Sequence, residues 1–358
     1  GGFKIYTAYD ARLQTIADEV YADSSFFPAA ASDGTPIQSA MAVVDTNNGA
    51  VLAMIGGRDY TVRRGLNRAT QMRRQPGSAL KPLAVYGPAL ELGYTTASVL
   101  LDEKTSFGGY TPRNAGDRYY GLVTMRTAIR NSLNTTAVRL LEEIGLDASI
   151  QYLNKMGIPT RNSDRNLSLA LGSMTYGVTP VELAAAYVPY ANGGIYHQPY
   201  CVERIETVDG SNVYERKDSG KQVLSAQNAF LMTSLLQSVV SSGTGTRMLA
   251  ANTPIAGKTG TVSMTGGNRD IWMTAYTPEI SVAVWMGYDQ TDAKHKISNG
   301  ITGGRNTASL AAAFFKKAYA DREKPDFSQP DGLVWLTLDK RALTSRGSIM
   351  LASDKTPK

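Results

Sequence analysis

The chain predicts an α+β fold: an antiparallel sheet flanked by helices, with an all-helical lobe inserted between the segments that close the sheet. Strand-type runs cluster at about residues 38–60 and 250–320, whereas about 80–242 reads as helices and loops. No regular repeat interrupts that order. The organisation that follows is a lead-in at 1–37, a main domain at 38–324, and a C-terminal strand and tail at 325–358. A cleft between sheet and lobe is the natural place for a site.

Taken in order, residues 7–21 carry Leu13, Ile16, Ala17 and Val20 at helical spacing, which predicts an amphipathic helix. Ser32-Asp33-Gly34-Thr35-Pro36 ends the lead-in. Two short apolar runs, at 39–45 and 50–57, flank Asn48-Gly49, a strong hairpin signal; they are expected to be central strands. Helices are expected to begin near Ser78, Thr124, Asn134, Thr179 and Ser225, and Gly145 is placed to stop one of them. Residues 271–277 and 280–288 are β-rich and joined through Pro278-Glu279. Leu310, Phe314 and Ala318 form one stripe of a helix over 307–319, and 334–338 is a last strand candidate.

Composition narrows the function. With 37 basic and 31 acidic residues the net charge is a mild +6. Its densest cluster, Arg63-Arg64, Arg68 and Arg73-Arg74, reads as a solvated face, so no nucleic-acid partner is expected. Cys201 is the one cysteine, which rules out an internal disulfide and zinc-type spacing. His197 and His295, the two histidines, lie far apart, so no metal site is expected. No run of eighteen apolar residues occurs, and Gly1-Gly2-Phe3-Lys4 is not a signal peptide. The start reads as the cut end of a longer parent that could carry an anchor upstream.

Three short motifs carry chemistry. Ser78 is the one serine followed three residues later by a lysine, Lys81. A helix starting at Ser78 puts both on one face, and Pro82 is tolerated near a helix start. A serine hydroxyl needs a neighbouring base, and a lysine serves only if burial and nearby cations depress its pKa. Alone, this pair is better explained as a capping serine and a surface lysine. Ser132-Leu133-Asn134 is the one Ser-x-Asn and falls between two predicted helices, where a loop can aim both side chains into a cleft or cap the second helix. Lys258-Thr259-Gly260-Thr261 is also unique; an edge strand there could pair with an extended peptide, with Gly260 admitting its backbone. A phosphate loop ending at Gly257-Lys258-Thr259 needs a glycine where Asn252 stands, which removes nucleotide binding.

The order Ser-x-x-Lys, Ser-x-Asn, Lys-Thr-Gly resembles the active-serine penicillin-binding and β-lactamase families. The likeness to class A penicillin-binding transpeptidase domains extends over about 38–320. It includes Arg74-Gln75-Pro76-Gly77-Ser78, Gly121-Leu122-Val123-Thr124, Ala170-Leu171-Gly172, Tyr176-Gly177-Val178-Thr179-Pro180 and Asp270-Ile271-Trp272. Residues 7–14 are similar to the linker that follows the family's glycosyltransferase domain. The resemblance implies a peptidoglycan DD-transpeptidase acylated at Ser78 by a stem peptide ending in D-Ala-D-Ala, and by β-lactam antibiotics. It implies Lys81 as general base, with Ser132 and Lys258 relaying the proton to the leaving amine. Asn134 would bind the substrate amide, and Thr259 and Thr261 with Lys258 the terminal carboxylate. The N–H groups of Ser78 and Thr261 would form the oxyanion hole. No cofactor or metal is implied. The parent is expected to be anchored at the extracytoplasmic face of a bacterial membrane with a glycosyltransferase domain; this chain, lacking both, is not expected to polymerise glycan.

One departure is Val262, where many members carry a second threonine. The alternatives are a DD-carboxypeptidase, a β-lactamase and a non-enzymatic β-lactam sensor. The Glu-x-x-Leu-Asn loop that deacylates class A β-lactamases is absent from the sequence.

Overall fold

The structure, a computed structural model, describes residues 2–59, 62–339, 343 and 349–352. The chain opens with β1 (Phe3–Thr7), then α1 (Ala11–Ala22), whose first turn is capped by the Asp10 carboxylate accepting from the Leu13 N–H at 2.9 Å. The helix predicted over 7–21 therefore starts later, behind a short strand. The hairpin forms as β2 (Gln38–Asp45) and β3 (Val51–Ile55), with Gly49 at φ +78° in the turn.

The inserted lobe follows. A helical segment runs from Gly77 through α2 (Gly87–Glu91); then come β4 (Val99–Asp102), β5 (Gly121–Thr124), α3 (Met125–Arg130), α4 (Asn134–Ile144), α5 (Leu146–Lys155) and α6 (Pro180–Ala191). Next are β6 (Ile195–Tyr196), β7 (Val202–Thr207), β8 (Asn212–Glu215), β9 (Lys221–Gln222) and α7 (Ala226–Ser242). Gly145 separates α4 from α5, and Thr179 with Glu182 closes a capping box on α6. The lobe is not purely helical: β4 pairs with β5, β6 with β9, and β7 with both β1 and β8. These ladders are four residues or shorter inside the lobe, too brief to show an alternating pattern.

The chain then returns as β10 (Ala256–Met264), β11 (Gly267–Tyr276), β12 (Ile280–Gly287) and α8 (Ala308–Ala318). The main sheet is antiparallel in the order β10-β11-β12-β2-β3. β2 and β12 are interior, but β3 is an edge strand, not a central one. Its apolar run reflects cover from α1, since the Gln14 amide oxygen accepts the Met54 N–H at 3.0 Å and the Asp10 N–H donates to Leu52 O at 2.9 Å.

Both faces of the sheet are buried, which is why its inner strands read as unbroken apolar runs. Ala40, Ala42, Val44, Ala283 and Trp285 face the helical lobe with Trp272 and Tyr276. Met41, Val43, Val282, Val284, Ile271 and Met273 face α1 and α8. The two-residue period of a strand makes this division. Residues 334–338 form no ladder; Leu338 makes a single bridge to Leu351. The rest of the predicted tail, at 340–342, 344–348 and 353–358, lies outside the described residues. No helix among the described residues is long and apolar enough to cross a membrane.

Candidate active site

The segment leading to Ser78 is pinned from three sides. Arg74 exchanges backbone hydrogen bonds with Val178 at 2.9 and 2.8 Å, and the Trp272 indole N–H donates to Gln75 O at 2.9 Å. The Arg74 guanidinium meets the buried Asp270 carboxylate at 2.7 Å, which also accepts from Arg269 and the Trp285 indole. Arg68 pairs with Asp289, and Arg73 with Glu182. Much of the basic cluster is therefore paired to acids distant in sequence, not a free solvated face.

Glycines then let this segment lie flat on β10. Gly77 has φ +55°, and a Cβ there would sit 2.9 Å from Thr261 O. A Cβ at Gly172 would overlap the Gly77 carbonyl, and one at Gly260 would overlap the Pro76 carbonyl and press on Ala79 at 3.1 Å. Gly260 thus faces the serine's own turn. Packing against Pro76 is by itself a reason for glycine at this position.

Ser78 lies half-buried in a 3-10 turn, Gly77–Leu80, that runs into a π-type turn, Pro82–Tyr86. The reason is local. Pro82 lacks the N–H that would reach Ser78 O in an α-helix, so Lys81 N–H takes that carbonyl instead. Two buried tyrosines of α6 cover neighbouring carbonyls: Tyr187 donates to Ala79 O at 2.5 Å and Tyr190 to Pro82 O at 2.9 Å.

The Ser132–Asn134 loop is built on a helix stop. Leu133 N–H donates to Ala128 O and Ser132 N–H to Ile129 O, the paired bonds of a Schellman ending. Ser132 occupies the left-handed position, φ +55°, where glycine is usual. A side chain there costs of order 1–3 kcal/mol, so the hydroxyl is held at a conformational cost. Neither Ser132 nor Asn134 caps α4, contrary to the simpler sequence reading. The residue before α4 is Leu133, and the first N–H groups, of Asn134 and Thr135, donate to the Asn114 side-chain oxygen at 2.6 and 3.3 Å.

Lys81 and Lys258 meet at this loop, and both are fully buried. Lys81 Nζ donates to Ser132 O (2.7 Å), Leu133 O (2.9 Å) and Asn134 Oδ1 (2.7 Å), with Ser132 Oγ at 3.4 Å. Lys258 Nζ donates to Ser132 Oγ at 2.9 Å and Thr259 O at 3.1 Å. Burial, then the Lys258 charge, pushes the Lys81 ammonium well below the usual lysine range, with Asp102 pulling the other way. Burial alone brings Lys258 down to about 7.

Hydrogen bonds thus join Lys81, Ser132, Asn134 and Lys258. The Ser78 hydroxyl stands outside that network among the described residues, one turn from Lys81. Three close oxygen acceptors satisfy the buried amine and hold it toward the loop.

β10 is the sheet's edge strand, as expected, pairing on one side with β11 through Lys258↔Thr274 and Thr261↔Ile271. Thr259 shares a hydroxyl contact of 2.7 Å with Thr244, and Thr261 Oγ1 accepts the Gly303 N–H at 3.3 Å. Asn134 Nδ2 donates to Arg113 O at 2.6 Å. Two cavities of about 660 and 470 Å³, between α1 and β3 and under 329–338, lie away from these residues. Cavity size points elsewhere; the chemistry collects at the open edge.

Sequence reasoning missed Asp102, Asn114, Thr244 and the Arg74–Asp270 pair. Asp102, an acid ending the apolar run Val99-Leu100-Leu101, was a usable signal. Asn114, in a loop without periodicity, offered none.

A family model described as the penicillin binding protein transpeptidase domain matches residues 39–320. Penicillin-binding protein 1F of Bacillus subtilis is 44% identical over 306 residues, covering 84% of this chain and 42% of that protein. Penicillin-binding protein 1A of Clostridium botulinum is 37% identical over 356 residues, covering 95% of this chain and 42% of its own length. The chain therefore spans under half the length of these relatives. Among solved structures, penicillin-binding protein 1A from Haemophilus influenzae superposes with a TM-score of 0.81 at 22% identity, covering 99% of this chain and 71% of that one. The PonA1 protein of Mycobacterium tuberculosis in complex with penicillin V gives 0.77 at 24% identity, covering 93% and 90%.

Proposed function

The chain belongs to the penicillin-binding protein transpeptidase family, and on that premise we propose that it is the acyl-transferring domain of a peptidoglycan DD-transpeptidase. The single observation that carries this reading is the pair of fully buried lysines sharing the Ser132 hydroxyl beside an unpaired strand edge, with Ser78 on the turn that packs against it.

A stem peptide ending in D-Ala-D-Ala lies extended along the free edge of β10. Ser78 Oγ attacks the carbonyl carbon of the penultimate D-alanine while its proton passes to Lys81. The acyl-oxygen bond forms, the peptide C–N bond breaks, and the terminal D-alanine leaves with a proton relayed through Ser132 from Lys258. An amine of a second stem peptide then attacks the acyl carbon and passes its proton through Ser132 to Lys258; the ester C–O bond breaks, Ser78 takes back its proton from Lys81, and the cross-link closes. Lys81 can accept the proton because burial and the Lys258 charge destabilise its ammonium. To do so it must give up one of the three protons it donates to the loop and turn the freed lone pair toward the Ser78 hydroxyl, a tightening that substrate binding drives.

The N–H groups of Ser78 and Thr261 form the oxyanion hole; the close passage of Gly77 along Thr261 supports this. One such donor is worth about 10²–10³ in rate. Asn134 binds the substrate amide. Thr259 and Thr261 present hydroxyls, with the Lys258 charge behind them, to the terminal carboxylate. β-Lactams acylate the same serine, and the opened ring keeps the leaving group tethered. The parent carries a glycosyltransferase domain and an anchor that place this domain at the extracytoplasmic face of the membrane.

The test is intact-mass measurement after incubation with benzylpenicillin, with mapping of the modified peptide. Labelling at Ser78 is expected, and labelling elsewhere overturns the assignment. With a stem peptide and an amine acceptor, a cross-linked product supports transpeptidation. Hydrolysis alone supports a carboxypeptidase, deacylation within seconds a β-lactamase, and acylation without any product a sensor.

A further inference from the structure

Behind the Ser132–Asn134 loop lies a buried carboxylate that the acyl-transfer scheme does not use. Asp102, at the end of β4, is fully buried. Its Oδ1 accepts from Asn114 Nδ2 at 2.8 Å and from the Thr135 hydroxyl; its Oδ2 accepts the Tyr120 N–H at 2.9 Å. Asn114, also buried, presents its oxygen to the N–H groups of Asn134 and Thr135. The result is one chain of hydrogen bonds: Lys81 Nζ to Asn134 Oδ1, Asn134 N–H to Asn114 Oδ1, and Asn114 Nδ2 to Asp102.

This arrangement replaces a local cap. α4 begins after Leu133, which has no acceptor side chain, so a remote amide does the capping and a carboxylate fixes which way that amide faces. An aspartate accepts from all three donors, whereas a neutral amide at the same place would turn a donor toward one of them.

Charge gives the second reason for a carboxylate. Two lysines are buried side by side, and the Lys258 charge adds to the burial that raises the free energy of the Lys81 ammonium. Among the described residues, the charged groups bearing on Lys81 are Lys258 on β10 and Asp102 on β4. The buried Tyr86 hydroxyl lies within the field of Asp102 as well.

We propose that Asp102 is a positioning residue for acyl transfer, acting through Asn114 to hold Asn134 against Lys81 and offsetting the Lys258 charge that bears on Lys81. The proposal rests on the acyl-transfer reading above. It has two separable parts, the bridge and the charge.

The experiment measures the second-order acylation rate constant with a fluorescent penicillin from pH 5 to 10, on variants shown to be folded by circular dichroism. Asp102→Asn removes the charge at constant size but also opposes one of the three donors, so its diagnostic is the position of the pH limb and not the rate. The acidic limb that reports loss of the Lys81 proton is expected to move to lower pH by about one unit. Asn114→Ala keeps the charge and cuts the bridge. It is expected to lower the rate at least about tenfold with the limb unmoved. A folded Asp102→Asn variant with a wild-type limb overturns the charge role, and wild-type rates in Asn114→Ala overturn the bridge. Should Asp102→Asn fail to fold, Asn114→Ala decides the bridge, and the pH limb of Asp102→Ser, also uncharged, decides the charge. Wild-type protein that takes no label at Ser78 refutes the acyl-transfer reading instead, so the two failures are distinguishable.

Discussion

Replacing Lys258 by methionine should stabilise the protein near neutral pH while abolishing acylation. Burial holds this lysine at about 7, against 10.5 for the exposed group. A folded pKa below the unfolded one means that the unfolded chain binds the extra proton between pH 7 and 10.5. Folding is penalised in full below pH 7, and the penalty is lost as pH rises toward 10.5. At 1.36 kcal/mol per unit, that penalty is about 4 kcal/mol at pH 7. Methionine fills a similar volume without a charge. It leaves Ser132 Oγ and Thr259 O without their donor, at a cost of about 1–3 kcal/mol. The expected balance is a gain of about 2 kcal/mol at pH 7 that falls as pH rises and reverses near pH 9–10. Urea unfolding of both proteins at pH 7, 8 and 9 measures it. Lys81, also depressed, gives both proteins a rising slope, so the diagnostic quantity is the difference, roughly one proton or up to about 1.4 kcal/mol per pH unit. Parallel stability curves, or a variant several kcal/mol weaker at pH 7, would refute the argument that Lys258 is buried at an electrostatic cost.

Three more outcomes are expected. Ser78→Ala should lose all covalent penicillin labelling with an unchanged melting temperature, because the half-buried hydroxyl forms no hydrogen bond among the described residues; residual labelling would remove Ser78 from its role. Ser132→Gly should cost no more than about 1–3 kcal/mol, because the buried Lys258 ammonium loses its Ser132 Oγ acceptor while relief of the left-handed strain offsets the added chain entropy. It should cut acylation by about a hundredfold or more, and a large stability loss in urea would contradict the helix-stop geometry. Gly260→Ala should cost about 1–3 kcal/mol by overpacking and slow acylation, because the new methyl overlaps the Pro76 carbonyl next to Ser78. Wild-type labelling and stability there would show that the turn is not pressed on β10.

Features written in neighbouring residues were legible before folding. The hairpin around Asn48-Gly49, the strands meeting at Pro278-Glu279 and the helix starts at Thr124, Thr179 and Ser225 follow from turn chemistry, periodicity and caps. The three motifs named Ser78, Lys81, Ser132, Asn134 and Lys258 as a set worth testing. Tertiary structure decided what those residues touch. That β3 lies at an edge depends on α1 folding over it. That Gly260 packs against Pro76 depends on a turn more than 180 residues away. The winding at Ser78 is only half local: Pro82 removes the N–H, but Tyr187 and Tyr190 satisfy the neighbouring carbonyls from a helix about a hundred residues on. The depressed lysines and the Asp102–Asn114–Asn134 chain exist only once three segments are packed together. The physical reason is range: dihedral preferences and side-chain periodicity act over a few residues and leave a trace in the string, whereas desolvation and hydrogen bonding between distant segments depend on which surfaces meet.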